Sequence, residues 1–529
     1  MATAVAQDGW SPSRSAAGAY SPWLIVAIIS IPTFMEVLDT SIANVALDHI
    51  AGGLSISADQ ATWVLTSYLV ANAIVSPISG WLSDAIGRKR YFLFSILLFT
   101  LSSLMCGLAP NLTTLVIARV LQGVGGGGLA PVEQSILADT FPPRQRGMAF
   151  AAFAIVVVVG PVLGPTLGGY ITEFASWHWV FLINVPVGIA AWVAVEFFVD
   201  EPEQVKKDRA AKFTNGRIRI DYIGVLLVAL GLGFLEITMD RGLREDWFAS
   251  PFIVATAIIS GVSLIALVIW ELNHDDPVVD LRLMKNLNFS LTLVVMAITG
   301  LILFGTTQLI PQMLQQVLGY SSLDAGLALT AGGVATLVAV PFAGRLSGKV
   351  DVRFLLLPAL LVQAAALWNM ANLNANITFF DAATARLYQA MALPFLFVPI
   401  NAIAYAGLKQ TQTAQASSLL NVARNLGGTF GISISQLLLA NALQQRQSQL
   451  VQPLNPLNPN YNDWLAKAQQ MFGDGTTPLA ILYSQVQRQA AMLAFLDVFR
   501  SLMVLVLVVA PVVLFMRAGK PGSAPQGAH

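Results

Sequence analysis

Five polar residues interrupt long apolar stretches of this chain, in types and spacings suited to binding and releasing protons. Glu36 and Asp39 lie in one stretch; Arg119, Gln122 and Glu133 lie in another. On a helix turning about 100° per residue, the first pair shares nearly one face, and the other three return to within about 60° of each other. An ionisable side chain in hydrocarbon costs on the order of several kcal/mol unless it is paired or hydrated. Carboxyl groups can take up and lose protons, whereas an arginine stays charged and can only pair. Asp39 lies about 12 Å from the nearer end of its stretch and Arg119 about 9 Å, at 1.5 Å rise per residue, so the two can form a buried ion pair. Two readings stay open: the pair merely ties two helices, or protonation of an acid loosens it and shifts the bundle between two states. Glu36 and Glu133 have no evident cation and are the better candidates for titrating groups. Pro131 and the run Gly125–Gly128 make the helix that carries Glu133 deformable. Glu196, Glu236 and Asp240 fall near the ends of apolar stretches and are expected to be solvated.

The surrounding elements must be membrane helices. Of 529 residues, 56% are hydrophobic and 11% charged, against roughly 25% charged in soluble domains. Apolar runs of about 20 residues recur, enough to cross about 30 Å of hydrocarbon and too long for barrel strands. Fourteen spans are expected, at 22–47, 62–85, 91–109, 113–139, 148–174, 177–199, 220–240, 250–271, 287–317, 324–346, 353–373, 382–407, 414–441 and 491–516. Twenty of the 29 Lys and Arg then fall on the side of the termini and five on the other. That bias places both termini in the cytoplasm. The expected organisation is an N-terminal tail (1–21), a six-helix bundle (22–199), and a polar linker with two extra helices (200–286). A second six-helix bundle (287–516) carries a long external loop (442–490), and a short tail (517–529) follows. The polar first residues lack the apolar core of a signal peptide. A net charge near zero leaves no footprint for nucleic acid. Cys106 is the only cysteine, and His49, His178, His274 and His529 fall in or at the edge of loops or in the tail, away from the middle of any span, so no metal, haem or other cofactor is expected. With no nucleophile constellation either, the chain does not read as an enzyme. It also lacks the phosphate loop GxxxxGK[ST] of ATP-driven machines.

Four motifs follow one another in the first half. GWLSDAIGRKR spans 80–90, and its glycines Gly80 and Gly87 permit a tight turn while Asp84 can pair with Arg88. IARVLQGVG spans 117–125, and GPVLGPTLGGY spans 160–170. In the latter, Gly160, Gly164 and Gly168 make a bare face for close packing, Pro161 and Pro165 should bend the helix, and Gly169 follows. The fourth is LDTSIANVAL at 38–47. A degenerate echo of the first, GRLSGKVDVR, stands at 344–353, which suggests two related halves. In order and spacing these motifs resemble the major facilitator superfamily, and within it the fourteen-helix drug:proton antiporters of the EmrB/QacA type. The second half is similar mainly in helix count and in NVARNLGG at 421–428.

The resemblance implies an all-α major facilitator fold of two six-helix bundles plus two linker helices. It also implies proton-coupled multidrug efflux by alternating access, hence antibiotic resistance, in a bacterial inner membrane. Gly80, Asp84, Gly87 and Arg88 would form a conformational latch, and the 160–170 motif a seal against leak. A periplasmic adaptor and an outer-membrane TolC-like duct would be partners, besides protons, lipid and lipophilic drugs or metabolites. A nutrient or metabolite symporter of the same fold is the alternative. For substrate contact, Gln122, Gln308, Gln312, Met313, Gln315 and Gln316 are candidates on one side, with Asn401, Tyr405, Asn421 and Arg424 on the other; ordinary interhelical hydrogen bonding would explain them equally. In the external loop, Trp464, Leu465, Ala468, Met471 and Phe472 could line one face of an amphipathic helix.

Overall fold

The computed structural model describes residues 21–201, 221–347, 349–374, 377–406, 408, 412–472 and 477–516. Most of both expected tails and of the polar linker lies outside them. Within the first half, α1 (Pro22–Val45) is followed by the short α2 (Leu47–Leu54) and α3 (Ala58–Ala61), then α4 (Trp63–Ile86) and α5 (Arg88–Gly107). Next come α6 (Leu112–Gly126), α7 (Leu129–Thr140), α8 (Pro143–Phe174), α9 (Trp179–Leu182) and α10 (Asn184–Phe198). The added pair is α11 (Tyr222–Arg241) and α12 (Pro251–Asn273). The second half has α13 (Leu287–Gln316), α14 (Ser322–Ser347), α15 (Arg353–Met370), α16 (Phe379–Ala404), α17 (Thr413–Val451), α18 (Pro459–Phe472) and α19 (Thr477–Val509). Among the described residues, 14 helical segments are long and apolar enough to cross a membrane. An even number puts residues 22 and 516 on one face of the bundle, the terminal face; the other is the distal face.

Local chemistry sets several helix ends. Ser57 and Gln60 form a capping box at α3, and Thr378 and Asp381 form another at α16. Asn111 and Asp221 accept backbone N–H groups at the starts of α6 and α11. The span of α6 and α7 breaks at Gly127–Gly128, where Pro131 cannot donate to the Gly127 carbonyl. The motif at 80–90 is not the loop it was expected to be. It is helical except at Gly87, whose φ of 109° favours glycine. Arg88 therefore opens α5.

The two halves repeat one packing plan. First and fifth spans pack together in each (α1 with α8, α13 with α17), as do second and fourth (α4 with α6, α14 with α16) and third and sixth (α5 with α10, α15 with α19). Between the halves, α4 crosses α17 and α8 crosses α14. The added helix α11 packs on α12 and lies against both α4 and α17. The architecture is the major facilitator fold with two extra helices.

Within the expected external loop, residues 442–451, 459–472 and 477–490 are helical, the first of these as a continuation of α17. Helix α17 runs 39 residues, about 58 Å at 1.5 Å per residue, nearly twice a hydrocarbon core of about 30 Å. With α18 and the start of α19 it forms a projection on the distal face. Arg446 of α17 and Asp497 of α19 brace it through two hydrogen bonds of 2.7 and 2.9 Å. Ala468 is buried and Trp464 and Leu465 are half-buried in α18, which packs on α19, whereas Met471 is exposed. The Phe472 side chain lies outside the described residues.

Candidate functional site in the membrane interior

Helix α1 carries Glu36 and Asp39 past the break between α6 and α7, and two distinct networks form there. Asp39 is saturated. Its Oδ2 accepts Arg119 Nη1 at 2.6 Å, and its Oδ1 accepts Gln122 Nε2 at 3.0 Å and Asn184 Nδ2 at 2.6 Å. Arg119 also donates through Nε to the Val64 carbonyl at 2.9 Å and through Nη1 to Gln122 Oε1 at 2.7 Å. Gln122 donates to Ser103 at 2.7 Å. Asp39, Arg119 and Gln122 are all at most 1% exposed. The guanidinium carbon lies 4.2 Å from the centre of the Tyr68 ring and 5.5 Å from that of Phe181, a cation–π arrangement in low dielectric. This network joins α1, α4, α5, α6 and α10.

The second network is under-satisfied. Glu36 Oε1 accepts Tyr68 Oη at 3.2 Å and Asn72 Nδ2 at 3.1 Å, while its Oε2 is buried without a hydrogen-bond partner. Glu133 is fully buried. Its Oε1 accepts Ser30 Oγ at 2.6 Å and its Oε2 has no partner. The cation absent from the sequence neighbourhood of these acids comes from the other half. Arg424 of α17 is buried and interacts electrostatically with both Glu36 and Glu133. Its Nε donates to Asn425 Oδ1 at 3.3 Å, its Nη1 has no hydrogen-bond partner, and its guanidinium carbon lies 5.7 Å from the Phe153 ring centre. Tyr68 touches both networks, donating to Glu36 while its ring faces Arg119. Small residues make room: a side chain at Gly126 would run into Tyr68 Oη at 2.7 Å and the Glu36 chain at 3.3 Å.

The halves meet closely toward the terminal face. Gly80 lies so near α17 that a Cβ would meet the Ala414 carbonyl oxygen at 2.9 Å. Its N–H donates to Ser418 Oγ at 2.8 Å, and the hydroxyls of Ser79 and Ser418 lie 2.9 Å apart. Arg88 is buried, ion-paired with Asp139 of α7, and donates to Thr413 of α17 at 2.9 Å. Asp84, its expected partner, also forms an ion pair with it, at 3.7 Å. The Arg88 N–H caps on Glu201 at 2.8 Å. Asn421 donates to Gln134 at 2.8 Å, and Tyr405 stacks on Phe150 with centres 5.2 Å apart. The echo at 344–353 mirrors this seam: Gly344 sits against Met148 and Ala151 of α8 as Gly80 sits against α17.

Helix α8 stays continuous through Pro161 and Pro165. Proline at 165 cannot donate to the carbonyl of 161, and Ser41 Oγ of α1 donates there instead at 3.1 Å. Gly160, Gly164 and Gly168 press on Val37, Ser41 and Ile42, so the motif seats the acid-bearing α1; Gly169 faces open space.

Other expected positions are not brought together. Gln312 accepts from Gln436 at 2.7 Å, Met313 is buried among Met370, Ala385 and Phe499, and Gln316 is exposed, all toward the distal end of α13. Asn401, Tyr405 and Asn421 are buried toward the terminal face, with Asn401 donating to the Phe397 carbonyl and Tyr405 meeting Ser417. These two sets sit toward opposite faces of the bundle. Glu236 and Asp240, expected to be solvated, are held between α11, α4 and α17, and Glu236 is only 3% exposed; α11 is wedged into the seam rather than standing apart from it. Glu196 is exposed and pairs with Lys89 at 3.4 Å. Sequence reasoning passes over Tyr68, Asn72, Asn184 and Asp139. It also passes over Arg386, fully buried on Gln389, Thr306 and Thr307. The Arg-x-x-Gln spacing of 386–389 repeats that of 119–122 and could have revealed it.

Residues 29–432 match the profile of the Major Facilitator Superfamily. Multidrug export protein EmrB of Haemophilus influenzae is 38% identical over 90% of this chain and 92% of its own. The Escherichia coli (strain K12) protein of the same name is 37% identical over 83% and 84%, and the Fatty acid resistance protein FarB of Neisseria gonorrhoeae is 35% identical over 94% and 96%. Among solved structures, the proton:xylose symporter XylE shares the fold at a TM-score of 0.61 and 14% identity, over 95% of this chain and 97% of that one. Profile, relatives and helix plan agree: the chain belongs to the Major Facilitator Superfamily.

Proposed function

We propose that this protein expels lipophilic drugs or metabolites across a bacterial inner membrane in exchange for protons, with both termini in the cytoplasm. Relatives at 35–38% identity that carry export and resistance names support the direction of transport. The excess of Lys and Arg on the terminal side supports the orientation, which makes the closed terminal face the cytoplasmic one.

The observation that carries the reading is Arg424 reaching from the second half toward Glu36 and Glu133 of the first. Three charges straddle the boundary that alternating access must open and close. With the acids ionised, Arg424 draws α17 onto α1 and α7, and the cytoplasmic seam stays shut. A proton arriving from the external side takes the place of that attraction on either acid, so the seam can part toward the cytoplasm. Loss of the proton inside, as drug enters, restores the attraction and returns the bundle to its external state. Each acid keeps one oxygen without a hydrogen bond, so a proton there displaces no donor. Asp39 has no such vacancy, and the Asp39–Arg119 network serves as the strut against which α1 is held. Gly80, Gly87 and Arg88 latch the cytoplasmic side through Thr413 and Asp139. A periplasmic adaptor feeding a TolC-like duct would seat on the distal projection.

Proteoliposomes loaded with a pH dye and given ethidium as a lipophilic cationic probe test this. Glu36→Gln and Glu133→Gln, made singly, should leave the protein folded, and at least one should abolish drug-driven proton movement. If both variants move as many protons per drug as the wild type, the coupling site lies elsewhere.

A further inference from the structure

Glu236 lies on α11, one of the two helices added to the twelve-helix plan, about 8 Å from that helix's distal end at 1.5 Å per residue, and it is buried against the seam. Its two oxygens lie 3.0 and 3.1 Å from a single hydroxyl, Thr429 Oγ1 of α17. That hydroxyl has one hydrogen, and the Asn425 carbonyl one turn back competes for it at 3.2 Å. A carboxylate here would have less than one full donor, and a buried anion so placed is costly. A protonated Glu236 suits the site better: its O–H donates to Thr429 Oγ1, and the Thr429 hydrogen goes to the Asn425 carbonyl.

Among the described residues no cation is bonded to Glu236. On its own helix Glu236 faces Asp240, one turn on, whose carboxylate accepts from Thr66 of α4. Arg241 and Arg244 are drawn off toward Asp59, at 3.2 and 3.6 Å. Helix α12 offers the hydroxyl of Thr256, bonded to Thr238 at 2.9 Å, and its one charged residue, Glu271, lies at the other end beside Asp221 and Gly224. On α4 the one charged residue is Asp84, in the latch. On α17 the nearby charge is Arg424, which serves Glu36 and Glu133.

Glu236 is also wired to the site described above. Asn425 Nδ2 lies 3.4 Å from Asn72 Oδ1, and Asn72 Nδ2 donates to Glu36 at 3.1 Å. A polar path thus runs Glu236–Thr429–Asn425–Asn72–Glu36 over α11, α17, α4 and α1. Parting of α4 from α17 must break it at the Asn72–Asn425 link. We propose that Glu236 is a second proton-binding carboxyl, by which the added helix pair takes part in coupling together with Glu36. This rests on the proton-exchange reading, yet it can be tested without transport.

The full-length protein in lipid nanodiscs is titrated from about pH 5 to about pH 10, spanning the range over which buried carboxyls lose their protons, and infrared difference spectra are recorded. The wild type should show a protonated-carboxyl band that fades with rising pH and is missing in Glu236→Gln; Glu236→Asp should restore a band. Thr429→Val, which leaves the acid in place, should shift the midpoint of that band, and so should Glu36→Gln. A structural role alone would move melting temperature but neither band nor midpoint. If wild-type and Glu236→Gln spectra superimpose throughout, or the midpoint ignores both Thr429→Val and Glu36→Gln, the inference is overturned. Should the band titrate as expected while proteoliposomes show no drug-driven proton movement, the transport reading falls and the proton site stands.

Discussion

Asp39 and Arg119 are each other's countercharge at complete burial, and neither can be removed alone without stranding the other. Breaking such a pair costs about 3–5 kcal/mol, whereas replacing both partners can be nearly neutral. The double variant Asp39→Asn with Arg119→Gln should therefore melt well above the temperature expected from adding the two single effects. Strictly additive shifts would speak against the pairing. Glu36 behaves differently, because Tyr68 and Asn72 hold one oxygen only and Arg424 supplies charge without a hydrogen bond. Substituting Arg424→Gln should spare the melting temperature more than Arg119→Gln does while lowering drug-driven proton movement severalfold; equal damage to stability from both would refute the distinction. The ion pair is legible in the sequence because both residues interrupt apolar runs and depth follows from counting. The partners of Glu36 and Glu133 are not legible, because Arg424 lies about 290 residues from Glu133 and only the docking of two halves brings them together. Neutral donors such as Tyr68 and Asn184 carry no signal of their own.

Helices meet here through glycine, and the partner at each glycine decides what a methyl group would do. At Gly164 a Cβ would overlap Ser41, whose hydroxyl supports the Pro161 carbonyl, whereas at Gly169 it would meet open space. Gly164→Ala should lower the melting temperature by several degrees and Gly169→Ala should leave it unchanged, both read by thermal unfolding of the purified protein; the reverse order would remove α8 as the seat of α1. The motif alone does not separate the two, since spacing assigns faces but not neighbours. Gly80 differs again, because its contact with Ala414 exists only while the seam is shut. Gly80→Ala should favour the state open to the terminal face, which faster labelling of a cysteine placed at Ser418 would report. The distal boundary of α17 escapes sequence reading for a related reason. Beyond the membrane a helix no longer needs to be apolar, so hydropathy stops at its surface while the backbone continues.

Across the whole molecule, the related packing of the two halves is only faintly written in the sequence, in one degenerate echo and one repeated Arg-x-x-Gln. Spatially it is clear: Gly80 and Gly344 occupy matching places on opposite seams. The divergence is as informative as the likeness. Where Asp39 receives Arg119, the second half offers Arg386 the hydroxyls of Thr306 and Thr307, so only the first half keeps an acid at that position. The distal projection belongs to the second half alone. Replacing residues 453–475 with a short Gly/Ser linker removes α18 while keeping the spans. It should leave ethidium-driven proton movement in proteoliposomes intact and abolish drug resistance in intact cells, if export across a second membrane needs an adaptor seated there. Lost activity in proteoliposomes would make the segment part of the gate, and undiminished resistance would make it dispensable.

That projection has a mechanical consequence. Helices α17 and α19 are clamped to one another toward the distal face by Arg446 and Asp497, and α17 runs unbroken from the Thr413 contact at the latch to Val451. One rigid rod therefore spans the distance from the seam that opens to the tip outside. When one bundle rocks on the other, the rod pivots about its buried stretch near Arg424, and its two ends swing in opposite directions. Small movements at the latch reappear as displacement of the tip, so a protein bound outside could sense which way the transporter faces without ever touching the drug.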